Sequence, residues 1–246
     1  MNMFDITGKK AIVTGASRGL GYAMAQALVE AGANLAIIAS SDRVFEAAQT
    51  LGAHPVQADI GDMKQLDAAF SDALTALGGI DILVNCAGIT RRHRCEEFPM
   101  DDWQRIIDVN LTATFRMCQL AGRHMLSQGS GKIMNIASML SFFGGWTVPA
   151  YAASKGGVAQ LTKSLANEWA AHGINVNAIA PGYMATEINT ELRADPTRNN
   201  EIVSRIPAGR WGTPDDLKGI VVFLSAPASD YVNGAVIPVD GGYLGR

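Results

Sequence analysis

Residues 10–21 read KAIVTGASRGLG. A short apolar, β-branched run ends at Thr14, glycines follow at 15, 19 and 21, and helix-like sequence begins at once. Glycine permits a tight turn and lets an anion approach main-chain N–H groups at a helix start. The spacing is G-x-x-x-G-x-G rather than the commoner G-x-G-x-x-G. An unliganded strand-to-helix turn can look the same. At the first strand–helix junction of an α/β chain, however, the pattern points to a dinucleotide.

The same alternation continues outward. Strand-like runs at 10–14, 35–39, 54–57, 81–85, 132–136, 174–179 and 236–239 alternate with helix-like stretches at 19–31, 43–51, 63–77, 101–127, 150–171 and 214–225. Residues between 179 and 214 read as a loop. The strand runs lack polar alternation, as expected of parallel strands covered on both faces. These features predict an α/β chain: one Rossmann domain over residues 1–246, a doubly wound parallel sheet of about seven strands with helices on both faces.

Composition narrows the function classes. With 246 residues, 48% hydrophobic and 17% charged, the chain can bury a sizeable core, which excludes disorder. A net charge of −3 excludes a strongly basic nucleic-acid binder. The uncharged stretch 133–154 is long enough to span a bilayer, but Asn135, Ser138, Ser141, Gly144, Gly145 and Pro149 interrupt it, so no membrane span is expected. Residues 1–10 show no apolar run before a cleavage site. Three cysteines, Cys86, Cys95 and Cys118, make no disulfide framework. A reducing cytoplasm is the expected location. His93 and Cys95 have no second pair to complete a metal site, so none is expected.

The second strand ends Ile37-Ile38-Ala39-Ser40-Ser41. An acid commonly stands there to hold a ribose 2′-OH. Here Ala39 takes its place, and Asp42 lies beyond the strand. A 2′-phosphate would meet no repulsion, Arg18 and Arg43 could pair with it, and Ser40 and Ser41 could donate hydrogen bonds. The expectation is NADP(H), with NAD(H) as the alternative. Solvated arginines are the ordinary reading of the same residues.

Gly15–Gly19 also spell G-x-S-x-G, a hydrolase nucleophile elbow around Ser17. That rival needs a histidine in a late strand-end loop, and none of His54, His93, His124 and His172 lies in one.

Tyr151 and Lys155 are four residues apart in a helical run and share a face. A nearby ammonium favours the phenolate and would lower the tyrosine pKa from its usual value of about 10. Ser138, just beyond the 132–136 strand, could bring its hydroxyl to a substrate oxygen. Asn110 sits mid-helix, where asparagine is a poor former; a local distortion or a buried water would account for it. Each residue has an ordinary alternative: packing, a cap, or an exposed amide. With the glycine turn, they form a set.

That set is identified as belonging to a member of the short-chain dehydrogenase/reductase family, and the resemblance spans residues 8–242. TGASRGLG is similar to the family's cofactor turn, contributing Gly15, Ser17, Arg18, Gly19, Leu20 and Gly21. NCAG (Asn85, Cys86, Ala87, Gly88) resembles its NNAG, with Cys86 in place of the second asparagine. Asp59 and Ile60 resemble the adenine contact. Pro181, Gly182, Met184 and Thr186 resemble the loop that closes on the nicotinamide. The resemblance implies that Tyr151 is the general acid–base and that Lys155 lowers its pKa and holds the nicotinamide ribose. Ser138 would polarise the carbonyl, and Asn110 would anchor a relay water. A homotetramer is also implied.

Arg91-Arg92-His93-Arg94 is the densest basic cluster and directly follows the 81–85 strand. Loops after strand carboxyl ends border the ligand crevice, so Arg91, Arg92 and His93 are candidates to hold a substrate carboxylate, with Arg210 as a second anion contact. The stretches 135–145, 148–158, 172–186 and 205–212 resemble family members that oxidise or reduce C6 sugar acids in uronate breakdown. Those relatives are usually associated with NAD, whereas Ala39 and Arg18 favour NADP. Two alternatives stand beside a sugar-acid dehydrogenase: a 3-oxoacyl-carrier-protein reductase, and a catalytically silent cofactor-binding regulator.

Overall fold

The computed structural model describes residues 2–246. Seven parallel strands form one sheet: β1 (Lys10–Thr14), β2 (Asn34–Ala39), β3 (His54–Gln57), β4 (Ile82–Asn85), β5 (Gly131–Ile136), β6 (Ile174–Pro181) and β7 (Val236–Val239). Their order is β3-β2-β1-β4-β5-β6-β7. The chain therefore builds outward from β1 in one direction, then returns past it to β4 and builds in the other. The direction reverses between β1 and β4, and a crevice opens outside the carboxyl ends of those two strands.

Side chains leave a strand alternately to opposite faces. In β1, Ala11 and Val13 pack with Met24 and Leu28 of α1 (Gly19–Glu30), Val44 of α2 (Arg43–Leu51) and Val221 and Leu224 of α9 (Lys218–Ser225). Ile12 enters the other core. There it joins Leu66 and Phe70 of α3 (Met63–Leu77), Met117 and Met125 of α5 (Ala113–Gln128), and Leu165 and Trp169 of α6 (Pro149–Trp169). Both faces of the sheet are covered, which is why its strands carry almost unbroken apolar runs.

Two expectations need correction. The single helix at 101–127 is in fact α4 (Met100–Ile107), a π-helical turn at Asp108–Thr112, then α5. The extra residue in that turn carries Asn110, so a distortion accounts for a polar residue deep in a helix. The span read as a loop after β6 contains a 3₁₀ turn (Glu187–Asn189), α7 (Thr190–Ala194) and α8 (Pro196–Val203). These helices are short and polar and leave little apolar period. Asp195 begins α8 by accepting N–H bonds from Thr197 and Arg198, with Pro196 in the first turn.

Candidate active site

The crevice is built by two loops that nearly touch. Thr14, the last residue of β1, accepts hydrogen bonds at Oγ1 from Cys86 N–H and Ala87 N–H beyond β4, at 3.1 and 3.2 Å. A Cβ on Gly15, whose φ is +69°, would come 2.7 Å from Ala87 Cα. A Cβ on Gly21 would come 2.3 Å from Gly15 O. These glycines let the turn fold onto α1 and onto the β4 loop.

Gly19 differs: its φ is +59° and nothing lies within 4 Å of its Cβ position. Arg18 caps α1 with extended backbone and gives no side-chain cap bond. The first turn of α1 thus has no side-chain cap and has open room beside Gly19, at the positive end of the helix dipole. Ser41 Oγ hydrogen-bonds Ser17 Oγ at 3.4 Å, joining the glycine turn to the end of β2. Exposed Ser40 and the side chains of Arg18 and Arg43 border the same place. An uncapped helix start, two guanidinium groups and the missing carboxylate at Ala39 fit a dinucleotide with a 2′-phosphate. Neither guanidinium is solvated alone, as the ordinary reading had it: both face the carboxylate of Glu187.

Leu20, Ile60 and Met184 contribute packing, with Ile60 and Met184 buried. Asp59 is held from two sides: Oδ1 accepts from Gly61 N–H at 2.9 Å and Oδ2 from Arg105 at 2.5 Å. Asn85, buried at the end of β4, donates to Asn135 Oδ1 at 2.9 Å. Past β6, Gly182 N–H bonds Val239 O at 3.0 Å, and a Cβ there would meet Asp240 Cα at 2.6 Å. Ala185 N–H reaches Gly212 O at 2.7 Å and Thr186 N–H reaches Met184 O at 2.9 Å, so Pro181 to Thr186 leave the sheet on a fixed path.

Across the crevice stand Ser138, Tyr151, Lys155 and Asn110. Lys155 Nζ lies 5.7 Å from the centre of the Tyr151 ring and donates to Ile136 O at 2.5 Å. Ser138 begins the 3₁₀ turn Met139–Ser141, accepting at Oγ from Leu140 N–H at 3.1 Å, so it is indeed a cap. Its hydroxyl stands near enough to the Tyr151 phenol to lower that group's pKa. The Asn110 carboxamide accepts from Ile89 N–H and donates to Ile89 O and to Ser154 Oγ. Its side-chain amide is thus engaged by protein groups on both the donor and the acceptor side. Gly88 completes the group: a Cβ there would stand 3.4 Å from Asn110 Oδ1 and 3.6 Å from Lys155 Nζ.

The expected electrostatics also need correction. Burial pushes the Tyr151 phenol up, against the Ser138 hydrogen bond that lowers it, and Cys86 adds to the rise. Burial pushes the Lys155 amine down to about 8. The Tyr151 pKa thus moves upward, opposite to the lowering that helical spacing alone suggested.

The substrate candidates separate. Arg210 grips Asp216 with two bonds, at 2.7 and 2.8 Å, beside a cavity of about 180 Å³ bordered by Gly182 and Met184. An incoming carboxylate would have to compete with Asp216 for these donors. Arg91 lies 4.0 Å from Asp102, and His93 bonds the same carboxylate at 2.8 Å. Arg94 pairs with Glu96. Arg92 is exposed and has no hydrogen bond or ion pair among the described residues.

Sequence reading missed Ser154 and Ser141. Ser154 bridges Asn110 to Tyr151 O, and Ser141 donates to Lys155 O. A serine buried in a helix interior one residue before Lys155 was the available signal for the first. The hydrolase reading fails on geometry: Ser17 meets Ser41, whereas His54 pairs with Asp72 and His93 with Asp102.

A parallel sheet reversed at β1 and β4, with an open glycine turn on one side and a Ser–Tyr–Lys–Asn group on the other, defines a pyridine-nucleotide oxidoreductase. Residues 15–244 match the family model described as enoyl-(acyl carrier protein) reductase, and the chain belongs to the short-chain dehydrogenase/reductase family. It is 49% identical over 251 residues to 2-dehydro-3-deoxy-D-gluconate 5-dehydrogenase of Escherichia coli (strain K12), covering 100% of this chain and 99% of that one. A Beutenbergia cavernae protein assigned as an NAD(P)-dependent gluconate 5-dehydrogenase, with NADP bound at low occupancy, superposes with a TM-score of 0.96 at 44% identity, covering 100% of both chains. A gluconate 5-dehydrogenase from Burkholderia cenocepacia J2315 in complex with NADP and tartrate gives 0.92 at 40% identity, covering 100% of this chain and 98% of that one. No helix among the described residues is long and apolar enough to cross a membrane.

Proposed function

We propose that this chain is an NADP(H)-dependent oxidoreductase that interconverts a keto group and a secondary alcohol on a C6 sugar acid. The carrying observation is the Ser138–Tyr151–Lys155 group facing an open glycine turn, in a chain whose full-length relatives are named for sugar acids. When bound, the nicotinamide nucleotide supplies or accepts the hydride. The α1 amides, Ser17, Ser41, Arg18 and Arg43 would hold its phosphates, while Lys155 would face its ribose. NAD(H) is the poorer fit, because its 2′-OH finds no carboxylate at Ala39.

The protein's own part is orientation and one proton. Ser138 donates its hydroxyl hydrogen to the substrate oxygen and fixes its direction. The protonated Tyr151 phenol gives its proton to that oxygen during reduction and takes one back during oxidation. Lys155, as an ammonium, stabilises the phenolate left behind. Asn110 acts as a positioning residue that holds the loop leading to Arg91 and Arg92. Arg92 is assigned to the substrate carboxylate.

We further read residues 1–246 as one domain of a cytoplasmic homotetramer. Exposed Phe115 and Leu126 on α5 supply an apolar face of the kind subunits cover. A second reading is reduction of the 3-keto group of an acyl thioester on a carrier protein; the family model's description shares the carrier but names an enoyl substrate. One assay separates them: NADPH and NADH oxidation against a panel of keto sugar acids and an acetoacetyl thioester. Turnover of the sugar acids supports the proposal, and turnover of the thioester alone overturns it.

A further inference from the structure

One carboxylate stands between the two guanidinium groups assigned to the 2′-phosphate. Glu187 pairs directly with Arg18 through one oxygen, and its other oxygen lies 3.7 Å from Arg43 Nη1. Glu187 opens the 3₁₀ turn that follows Thr186, so it directly continues the segment, Pro181 to Thr186, expected to close over the nicotinamide. Arg18 and Arg43 flank the glycine turn and the end of β2, far away in sequence. The cluster is accessible: the side chains of Arg18, Arg43 and Glu187 are 58%, 58% and 65% exposed.

We infer that Glu187 is an internal competitor for the nucleotide 2′-phosphate and thereby weakens this enzyme's preference for the phosphorylated nucleotide. The inference rests on the NADP(H) reading above. A phosphate dianion and the Glu187 carboxylate need the same donors and repel each other, so they do not share the two arginines. A nucleotide with a bare 2′-OH leaves the Glu187 pairs intact, and the lid segment stays tied to the adenosine side. A 2′-phosphate must first displace Glu187. Discrimination in favour of the phosphorylated nucleotide is weaker than two unopposed arginines would give.

Calorimetric titration with two nicotinamide-free probes tests this: adenosine 2′,5′-bisphosphate and adenosine 5′-monophosphate, on the wild type and on Glu187→Gln. An exposed ion pair is a small term, so the variant is expected to bind the bisphosphate about two- to fivefold more tightly. Affinity for the monophosphate stays level. The gain shrinks in high salt and in an Arg18→Ala background. An unchanged or weaker bisphosphate affinity overturns the inference and leaves the NADP(H) reading standing. So does an equal gain for both probes, or a gain undiminished by Arg18→Ala. A wild type that binds neither NADP⁺ nor the bisphosphate overturns both.

Discussion

The side chain of Asn110 is bonded twice to the backbone of Ile89: it accepts the Ile89 N–H at 2.8 Å and donates to the Ile89 carbonyl at 2.9 Å. A carboxamide here acts like one residue of a neighbouring strand. It ties the π-helical turn to the loop carrying Arg91 and Arg92. Asn110→Leu keeps the volume but strands both groups and Ser154. Unmet buried groups of this kind cost about 2–3 kcal/mol in total. For a chain of this size, that is a fall in Tm of about 5–10 °C. Thermal unfolding checks it, and an unchanged Tm would show that the double bond contributes nothing.

Tyr151→Phe removes the transferable proton and leaves the ring. Loss of a positioned general acid typically costs 10²–10⁴-fold, so ketone reduction is expected to fall by at least about 10²-fold. Nucleotide affinity, read by fluorescence titration, stays near the wild-type value. Wild-type turnover by a correctly folded variant would defeat the mechanism.

The pH profile follows from the two buried groups. Reduction requires a protonated Tyr151 beside a charged Lys155, and burial sets the lysine near 8. The kcat/KM for reduction is therefore expected to be level at neutral pH and to fall above about 8. Oxidation requires the phenolate and rises with pH. Profiles in both directions report these groups in the free enzyme. A reduction limb that stays flat to pH 10 contradicts the assignment.

Lys155 also places a cost on the fold. Its amine is lowered from 10.5 to about 8, so the unfolded chain holds a proton between those values that the native chain has lost. Stability therefore rises with pH through that window, and the full cost, about 3 kcal/mol, is present below it. Lys155→Met removes the buried charge, partly offset by the unpaired Ile136 carbonyl. The variant should be inactive yet more stable at pH 7, with its advantage shrinking as pH climbs from 8 to 10. Parallel Tm measurements across that range decide it; an advantage that grows would reverse the sign of the argument.

Local chemistry was legible because it lies within single segments. Gly15, Gly19 and Gly21 sit inside one turn, and Tyr151 and Lys155 inside one helix, so period and spacing carry them. Pairings between distant segments left no such trace. Nothing near Arg18 announces Glu187, nothing near Arg210 announces its pairing with Asp216, and Asp59 gives no sign of Arg105. The direction of the Tyr151 pKa shift was hidden for the same reason. Helical spacing shows that Lys155 is close, whereas the burial that overrides it belongs to the packed fold. The π-turn left only an indirect mark, an asparagine in an otherwise apolar face. For α8 the cue was present in Asp195-Pro196, a cap followed by a first-turn proline.

Specificity for an acid over a neutral ketone is expected to rest on Arg92. Of Arg91, Arg92, Arg94 and Arg210, three already face carboxylates: Arg91 and Asp102, Arg94 and Glu96, Arg210 and Asp216. Recruiting any of those would break an existing pair, and the Arg210 pair is bidentate. Arg92 has no such partner among the described residues, and Asn110 fixes the loop that leads to it. Its guanidinium could therefore meet an incoming carboxylate without losing a protein contact. A charge-assisted bond of this kind is worth about 1.5–3 kcal/mol, so Arg92→Met should raise KM for a keto sugar acid by about tenfold or more. The KM for a neutral ketone of similar size, and kcat for both, should barely move, because the arginine binds ground state and transition state alike. Equal increases for acid and neutral ketone would return Arg92 to the solvated surface and leave the carboxylate contact to Arg91.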